Sequence, residues 1–420
     1  MSANLVLALR SAWSRRFVLA LTVASIALAA FLLLSLERLR ADMRASFGAA
    51  VSGTDLVVGA RGGSVPLMLY AVFRIGAPTN NVGMASLRAI EALPQVAWLV
   101  PIALGDSHRG FPVVGTGDGY FEHFRHGDRQ PLALATGRVF GAMPGGLYEA
   151  VVGAEVASKL GYREGQRIVL SHGDGALPGN DHAQQPFTVV GALARTGTPV
   201  DRSVHIRLEA MEALHAGSAF GLPASMALPV DAASLQPRSA TAALVGLKQR
   251  AAVFSVQRFV NNYRAEPLLA VLPGVALDEL WELVGGAERA LAVASALVAL
   301  VSLAGMVAVI AAGLDARRRE LAILRAVGAA PRDVLALLLA EGLAVTAVGV
   351  VLGLVAHLVA LAALGPWLQG RYGVTLGLAE AGATPLAIVA SMLAAGLLAS
   401  LVPAWRAYRL SLADGLAPAI

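Results

Sequence analysis

Four long apolar segments are the feature that most constrains how this chain folds. Residues 17–36, 290–314, 342–364 and 384–404 contain no Asp, Glu, Lys or Arg, and each is at least 20 residues long. A helix of about 20 residues, rising ~1.5 Å per residue, crosses a hydrocarbon core about 30 Å thick. The sequence therefore predicts four transmembrane helices. A charged fraction of only 15% and a mean hydropathy of +0.65 agree with this prediction.

The first apolar segment is predicted to remain in the protein as a membrane helix. A cleaved signal peptide has an apolar region of about 7–15 residues, followed by small residues at the cleavage site. Residues 17–36 form a longer run, and the charged residues Glu37 and Arg38 follow it directly.

The distribution of basic residues predicts the orientation of the four helices. Lys and Arg concentrate in short cytoplasmic segments of membrane proteins. Residues 1–16 contain three Arg, residues 315–333 contain five and residues 405–420 contain two, whereas residues 365–383 contain one. We therefore expect both termini in the cytoplasm and residues 37–289 outside it, on the periplasmic side of a bacterial inner membrane.

Residues 37–289 are long enough to form one or two folded modules. Short apolar runs between turn residues predict strands at 55–59, 111–115, 150–153, 167–170 and 186–191. Short helices are expected at 84–93, 155–160 and 210–215. The two ends, 37–47 and 277–289, continue the patterns of the adjacent membrane helices and are predicted to form a helical stalk. The fold class is thus an α-helical membrane protein with a large α+β domain between its first two membrane helices.

A polar, Gly-rich loop at 171–185 is a candidate metal site. It contains four side chains of the types that ligate transition metals, namely His172, Asp174, Asp181 and His182. Gly, Asn and Asp are also the residues that form turns. The sequence favours a solvated hairpin loop over a metal site here.

The chain has none of the common catalytic motifs. No G-x-x-x-x-G-K-[ST], H-E-x-x-H or G-x-S-x-G pattern occurs, and there is no Cys to act as a nucleophile. The basic residues form no aromatic-interleaved cluster typical of nucleic-acid binding, so membrane lipids explain them better. We therefore predict that the protein is not an enzyme by itself and does not bind nucleic acid.

Two ionisable residues lie within or beside the apolar segments, where such residues often have a function. Glu341 lies at the cytoplasmic edge of the third segment, and His357 lies inside it. We interpret His357 as a packed residue rather than a proton carrier. Small residues repeat at 349–353 and 396–400, a pattern that permits close helix packing. The sequence leaves open whether that packing occurs within the chain or between two copies.

The cytoplasmic connection at 317–329 is predicted to form a short amphipathic helix. Leu321, Ile323 and Leu324 give it an apolar edge, and Gly328 is suited to end it. Pro331 then begins the next helix. On physical grounds alone, the preferred interpretation is a helix at the membrane surface with its basic residues on lipid headgroups. The alternative is a helix that docks into a groove on a cytosolic partner.

Several segments resemble the FtsX/MacB-type permease family of ABC transporters. The cytoplasmic R-E-L-A-I-L-R-A-V-G-A at 319–329 resembles the family signature, and residues 401–412 resemble its C-terminal motif, with Leu412 in place of the usual proline. Residues 9–16 resemble its amphipathic N-terminal helix. Matches in the outer domain include 137–138, 151–153, 157–161, 164–166 and 187–191. Residues 73–76 and 195–202 fall outside the general family pattern.

The resemblance implies a half-transporter that dimerises and binds two copies of a separate cytosolic ATPase. The chain itself then needs no cofactor, because the partner binds ATP and Mg²⁺. The residues implied to couple to the ATPase are Arg319, Glu320, Leu321, Ile323, Leu324, Arg325, Gly328 and Glu341. A periplasmic or outer-membrane protein is a further candidate partner. The alternative function is a membrane-anchored sensor or scaffold that binds a ligand or partner without ATP. Family resemblance alone does not give the substrate.

Overall fold

The structure, a computed structural model, describes residues 16–78, 80–173, 181–215, 235–316, 328–372 and 383–409. These residues form two compact units. The helical unit comprises the described parts of Met1–Ala41, Gly285–Trp367 and Leu376–Ile420. The α+β unit comprises the described parts of Asp42–Val284 and Leu368–Thr375.

The α-helices of the described residues are α1 Arg16–Ala50, α2 Ser64–Ala71, α3 Met84–Glu91, α4 Gly119–His123, α5 Ala154–Leu160, α6 Leu208–His215, α7 Val253–Asn261, α8 Pro273–Ala316, α9 Pro331–Tyr372 and α10 Ala383–Arg409. The strands are β1 Leu56–Ala60, β2 Val82–Gly83, β3 Val96–His108, β4 Phe111–Thr116, β5 Arg125–His126, β6 Gln130–Pro131, β7 Leu134–Gly137, β8 Glu149–Val152, β9 Arg167–Ile168, β10 Ser171–His172, β11 Phe187–Leu193, β12 Val204–Arg207, β13 Ser239–Ala240, β14 Ala242–Leu247 and β15 Leu268–Val271.

Within the described residues, four helices, α1, α8, α9 and α10, are long and apolar enough to cross a membrane, in agreement with the predicted number of spans. Large apolar side chains on them are exposed, including Val301 at 70%, Leu386 at 73% and Leu398 at 66%. Side chains of this kind are stable on a helix surface when lipid surrounds it. The exposed apolar surface is therefore what a membrane-embedded helical unit requires.

The small residues of the third span pack against α1 within the same chain. A Cβ at Gly353 would lie 2.5 Å from the backbone oxygen of Ala27, and one at Gly349 would lie 2.7 Å from Ile26. A Cβ at Gly396 of α10 would likewise lie 2.3 Å from the hydroxyl of Thr346. These close approaches require glycine. The structure thus assigns both small-residue motifs to packing within the chain.

One mixed sheet organises the α+β unit. Within the described residues its strand order is β15-β1-β14-β3-β4-β12-β8-β11-β7, with β10 paired to β3 and β9 paired to β11. The β4–β12 and β8–β11 pairs are parallel, and the other pairs are antiparallel. The fold class predicted from the sequence, an α+β domain after the first membrane helix, is confirmed.

Apolar side chains cover both faces of this sheet. Successive residues of a strand point to opposite faces. Val57 of β1 packs in one hydrophobic cluster together with Val114 and Val151. Its neighbours Leu56 and Val58 pack in a different cluster. Strands of this kind read as short continuous apolar runs, which is why β1, β4 and β8 were recognisable in the sequence.

The C-terminal part of α1 contacts the N-terminal part of α8. In the helical unit, Arg40 Nε lies 3.1 Å from a carboxylate oxygen of Glu288. In the α+β unit, the guanidinium of Arg44 lies 5.3 Å from the ring centroid of Trp281, and the Phe47 ring lies 5.6 Å from it. Aromatic and cation–π contacts of this kind hold the two helix segments together.

Candidate functional site

Most of the predicted coupling residues lie outside the described residues. These are Arg319, Glu320, Leu321, Ile323, Leu324 and Arg325. Gly328 and Glu341 are described, and they lie on either side of the start of α9. The short helix predicted at 317–329 therefore stays a prediction.

The entry into α9 is fixed by local hydrogen bonds. Gly328 has φ +107°, a conformation that glycine adopts readily. The helix begins at Pro331, as predicted. The backbone N–H of Ala330 donates to Asp333 Oδ2 at 2.8 Å, and the Asp333 N–H donates to the Ala330 carbonyl at 2.9 Å. This reciprocal pair caps the start of α9.

The two ionisable residues of the third span have different surroundings. Glu341 is half-buried, next to Gly342, where a Cβ would lie 2.3 Å from Ser400 of α10. His357 is buried, and its Nδ1 lies 2.9 Å from the Ser35 hydroxyl of α1. This contact fits the interpretation of His357 as a residue packed between helices.

The four metal candidates of the polar loop are not all brought together. Asp174 lies outside the described residues. Asp181 is exposed and accepts a hydrogen bond from the Ser171 hydroxyl at 2.6 Å. His172 and His182 do converge, and the third member of their group is Asp106. Sequence reasoning missed Asp106 because it lies in β3, a strand distant in sequence that the hydropathy pattern did not reveal.

Two segments far apart in sequence, 73–76 and 195–202, border the same small cavity. This cavity of about 10 Å³ is lined by Arg74 of the first segment, by Pro199 and Val200 of the second, and by Tyr120. A volume of this size suits about one water molecule. The two segments are therefore neighbours in space.

The cavity lies beside a buried group of titratable side chains. Burial lowers the pKa of Arg74 and raises the pKa of Tyr120. Burial lowers the pKa of His205 to about 3, and the nearby positive charge of Arg74 acts in the same direction. His205 Nδ1 donates to the Val151 carbonyl at 3.2 Å, and its ring lies 5.3 Å from that of Tyr120. His205 is thus a neutral core residue at physiological pH.

Hydrogen bonds to the buried carboxylate of Asp201 fix the segment 195–202. Asp201 Oδ1 accepts from the Thr196 N–H at 2.8 Å, and Oδ2 accepts from the Gly197 N–H at 2.9 Å. Burial raises the pKa of Asp201, although these hydrogen bonds oppose the rise. A Cβ at Gly153 would lie 2.3 Å from the Val200 carbonyl. These hydrogen bonds and the close backbone contact restrict the backbone conformation of residues 195–202.

Two models of known protein families together match most of the chain. The family model of the MacB-like periplasmic core domain matches residues 19–257, more than half of the chain. The family model of the FtsX-like permease C-terminal region matches residues 292–412. The chain belongs to the FtsX/MacB-like family of ABC transporter permeases. It is accordingly a multi-pass membrane protein of a family whose members are membrane permeases working with ABC ATPase partners.

Solved structures of this family's outer domains are also similar to the chain. The extracellular domain of the noncanonic ABC-type transporter YknZ from Gram-positive bacteria is 13% identical, with a TM-score of 0.31. That match covers 52% of this chain and 98% of the domain. The periplasmic region of MacB from Actinobacillus actinomycetemcomitans is 10% identical, with a TM-score of 0.34, over 55% of this chain and 95% of that region. A search of curated proteins finds no match.

Proposed function

We propose that this permease is the membrane subunit of an ABC transporter of the mechanotransmission type. A separate cytosolic ATPase hydrolyses ATP, and the resulting motion passes through the permease to its α+β unit, which exports or extracts a substrate. The working assembly contains two copies of the permease and two of the ATPase. It lies in a bacterial inner membrane, with both termini cytoplasmic and residues 37–289 periplasmic.

The observation that carries this proposal is the extent of the helices α1 and α8 along the chain. Each of these helices contains an apolar span and also continues into residues of the α+β unit. Helices are stiff along their axes, because every backbone hydrogen bond is made within the segment. The contacts of Arg44 and Phe47 with Trp281 join the two helices in the α+β unit. Such a pair is suited to transmit a displacement from the membrane to the outer domain.

The proposed input is the cytoplasmic segment 317–329. It connects α8 to the capped start of α9, so a force on the segment acts on both helices. Its apolar edge of Leu321, Ile323 and Leu324 is the expected anchor in a groove of the ATPase. The chain has no P-loop of its own, and a partner ATPase supplies the energy.

The test is a charge substitution on the predicted apolar edge. Losing a buried Leu anchor at an interface costs about 2 kcal/mol or more, enough to weaken the complex roughly thirtyfold. We expect Leu324→Asp to insert into the membrane normally but to lose its ATPase during purification. The measurement is the ratio of ATPase to permease after affinity purification of the full-length complex.

Ala322→Asp is the matched control, because it adds the same charge about 130° away from the midpoint of Leu321 and Leu324 around the helix. It should retain the ATPase. If Leu324→Asp and Leu321→Asp both retain the ATPase and its stimulated ATP hydrolysis, the coupling role is contradicted. The result would then favour a helix that lies on the membrane surface. An inserted wild-type protein that binds no ATPase at all would favour the alternative of a sensor or scaffold.

A further inference from the structure

Asp106, His172 and His182 form a compact group in the α+β unit. One ligand atom from each of these side chains lies within 4.8 Å of the others. His172 Nδ1 lies 3.1 Å from Asp106 Oδ1. Ligands in a tetrahedral zinc site, at ~2.0–2.1 Å from the metal, are about 3.4 Å apart. Small side-chain rotations are therefore enough to bring the three atoms around one cation.

The backbone fixes Asp106 at this position by a β-bulge. Between the pairs Leu104↔Val114 and Ser107↔Pro112, β3 contains one more residue than β4. Gly105 lies in this bulge with φ +152°. A bulge redirects the side chains next to it. Asp106 is consequently buried at the point where β10 joins β3, with His172 directly opposite it.

The two histidines are held at opposite ends of the polar loop. The Gly173 N–H donates to the Gly105 carbonyl at 2.9 Å, which fastens the end next to His172. The His182 N–H donates to the Leu170 carbonyl at 2.8 Å, which fastens the other end. Both imidazoles are thereby held beside Asp106 by backbone hydrogen bonds, independently of the loop between them.

The ligand set indicates the class of cation. Two imidazoles and one carboxylate suit zinc and similar transition metals, whereas Ca²⁺ and Mg²⁺ prefer six or more oxygen ligands. Three protein ligands also leave one tetrahedral position for water or for a group on another molecule. The His172 side chain is 56% exposed, while that of Asp106 is fully buried. A cation can therefore reach the site from solvent on the His172 side.

We propose that Asp106, His172 and His182 bind one divalent transition-metal cation of the zinc class. The bound cation joins β3 to both ends of the polar loop. One coordination position of the cation faces solvent. A molecule that binds to the α+β unit can coordinate the cation there. The site is independent of the ATPase-coupling function, and its test needs no partner protein.

The test is a zinc titration of the full-length permease in detergent, purified through a histidine-free tag and stripped with a chelator. A chromogenic chelator competes for Zn²⁺ and reports the affinity. We expect one Zn²⁺ per chain and no competition by Ca²⁺ or Mg²⁺. His172→Ala and Asp106→Asn should each weaken binding by about 100-fold or more, since even the loss of an outer partner of a metal ligand costs about 10–100-fold.

His126→Ala is the control, because His126 is a half-buried histidine in a different strand, β5. It should bind Zn²⁺ as the wild type does. Because His172 is largely exposed, His172→Ala should fold normally even if Asp106→Asn does not. A second readout is hydrogen exchange at the His182 amide, which Zn²⁺ should slow in the wild type and not in His172→Ala.

Two outcomes would overturn the proposal. One is the absence of saturable Zn²⁺ binding by the folded wild-type protein, which would leave His172 and Asp106 as a simple hydrogen-bonded pair. The other is unchanged affinity in both His172→Ala and Asp106→Asn, which would place the zinc elsewhere on the protein.

Discussion

His205 is a fully buried titratable residue of the α+β unit. It lies fully buried on β12 beside Tyr120 and the guanidinium of Arg74, and burial lowers its pKa to about 3. Nothing in the sequence around β12 indicates this, since Val204-His205-Ile206-Arg207 reads as an ordinary alternating strand. The environment comes from α4 and from residues 73–76, which are distant in sequence. Pairings of this kind depend on the tertiary fold, so local patterns do not predict them.

The neutral state of His205 makes folding sensitive to acid. Below its ordinary pKa of 6.5 the unfolded chain binds a proton at this residue, and the folded protein does not until about pH 3. The group's contribution is therefore complete above pH 6.5 and is lost as pH falls towards 3. The expected slope is about 1.4 kcal/mol for each pH unit.

Replacing His205 by Asn removes this titration. We expect the wild type to lose more unfolding free energy than His205→Asn between pH 7 and pH 5, whatever their difference at pH 7. The measurement is chemical unfolding of the full-length protein in detergent, followed by Trp fluorescence at both pH values. Parallel losses in the two proteins would show that His205 is not buried in a neutral form.

At the scale of single elements, the sequence predicted those parts of the fold with a strong local pattern. The four spans and the strands β1, β4, β8 and β11 each contain a clear run of apolar residues. Strand β3 was missed because Pro101 and Gly105 interrupt its apolar pattern, and both residues are atypical of a strand. The structure accommodates Gly105 in a bulge. Because Asp106 follows that bulge, the missed strand also concealed one side chain of the proposed metal site.

The close packing of α9 on α1 gives a prediction for Gly353. A methyl group there would lie 2.5 Å from the Ala27 oxygen, so the two helices must separate. Overpacking of this kind costs about 1–3 kcal/mol. We therefore expect Gly353→Ala to lower the thermal unfolding temperature of the permease in detergent.

Gly305→Ala is the matched control. Gly305 also lies in a membrane helix, α8, and a Cβ there would meet no atom within 4 Å. Alanine stabilises a helix interior by roughly 0.5–1 kcal/mol relative to glycine, so this variant should be at least as stable as the wild type. Equal unfolding temperatures for the two variants would contradict the assigned packing.

At the scale of the whole molecule, the proposed orientation rests on the distribution of basic residues. It places exposed Asp128 of the α+β unit in the periplasm and exposed Arg332, at the start of α9, in the cytoplasm. The chain has no native Cys, so single substitutions give clean labelling sites. We expect a membrane-impermeant maleimide to label Asp128→Cys in intact spheroplasts, and Arg332→Cys only after the membrane is opened. The reverse pattern would invert the topology.

The sequence also predicted much of the molecular organisation, because each membrane span is encoded locally. It did not establish how the segment 317–329 is used, since an amphipathic helix suits a lipid surface and a protein groove equally well. Choosing between these roles depends on the partner, and the sequence of one chain contains no information on the partner's surface.

ATP hydrolysis is the most direct test of the central claim, that this permease is driven by a separate ATPase. We expect the purified permease alone to hydrolyse no ATP, because it has no P-loop. Its complex with the cytosolic ATPase should hydrolyse ATP, and Leu324→Asp should reduce that rate to the level of the ATPase alone. ATP hydrolysis by rigorously purified permease would contradict the account. So would a rate of hydrolysis by the complex that neither Leu324→Asp nor Leu321→Asp changes.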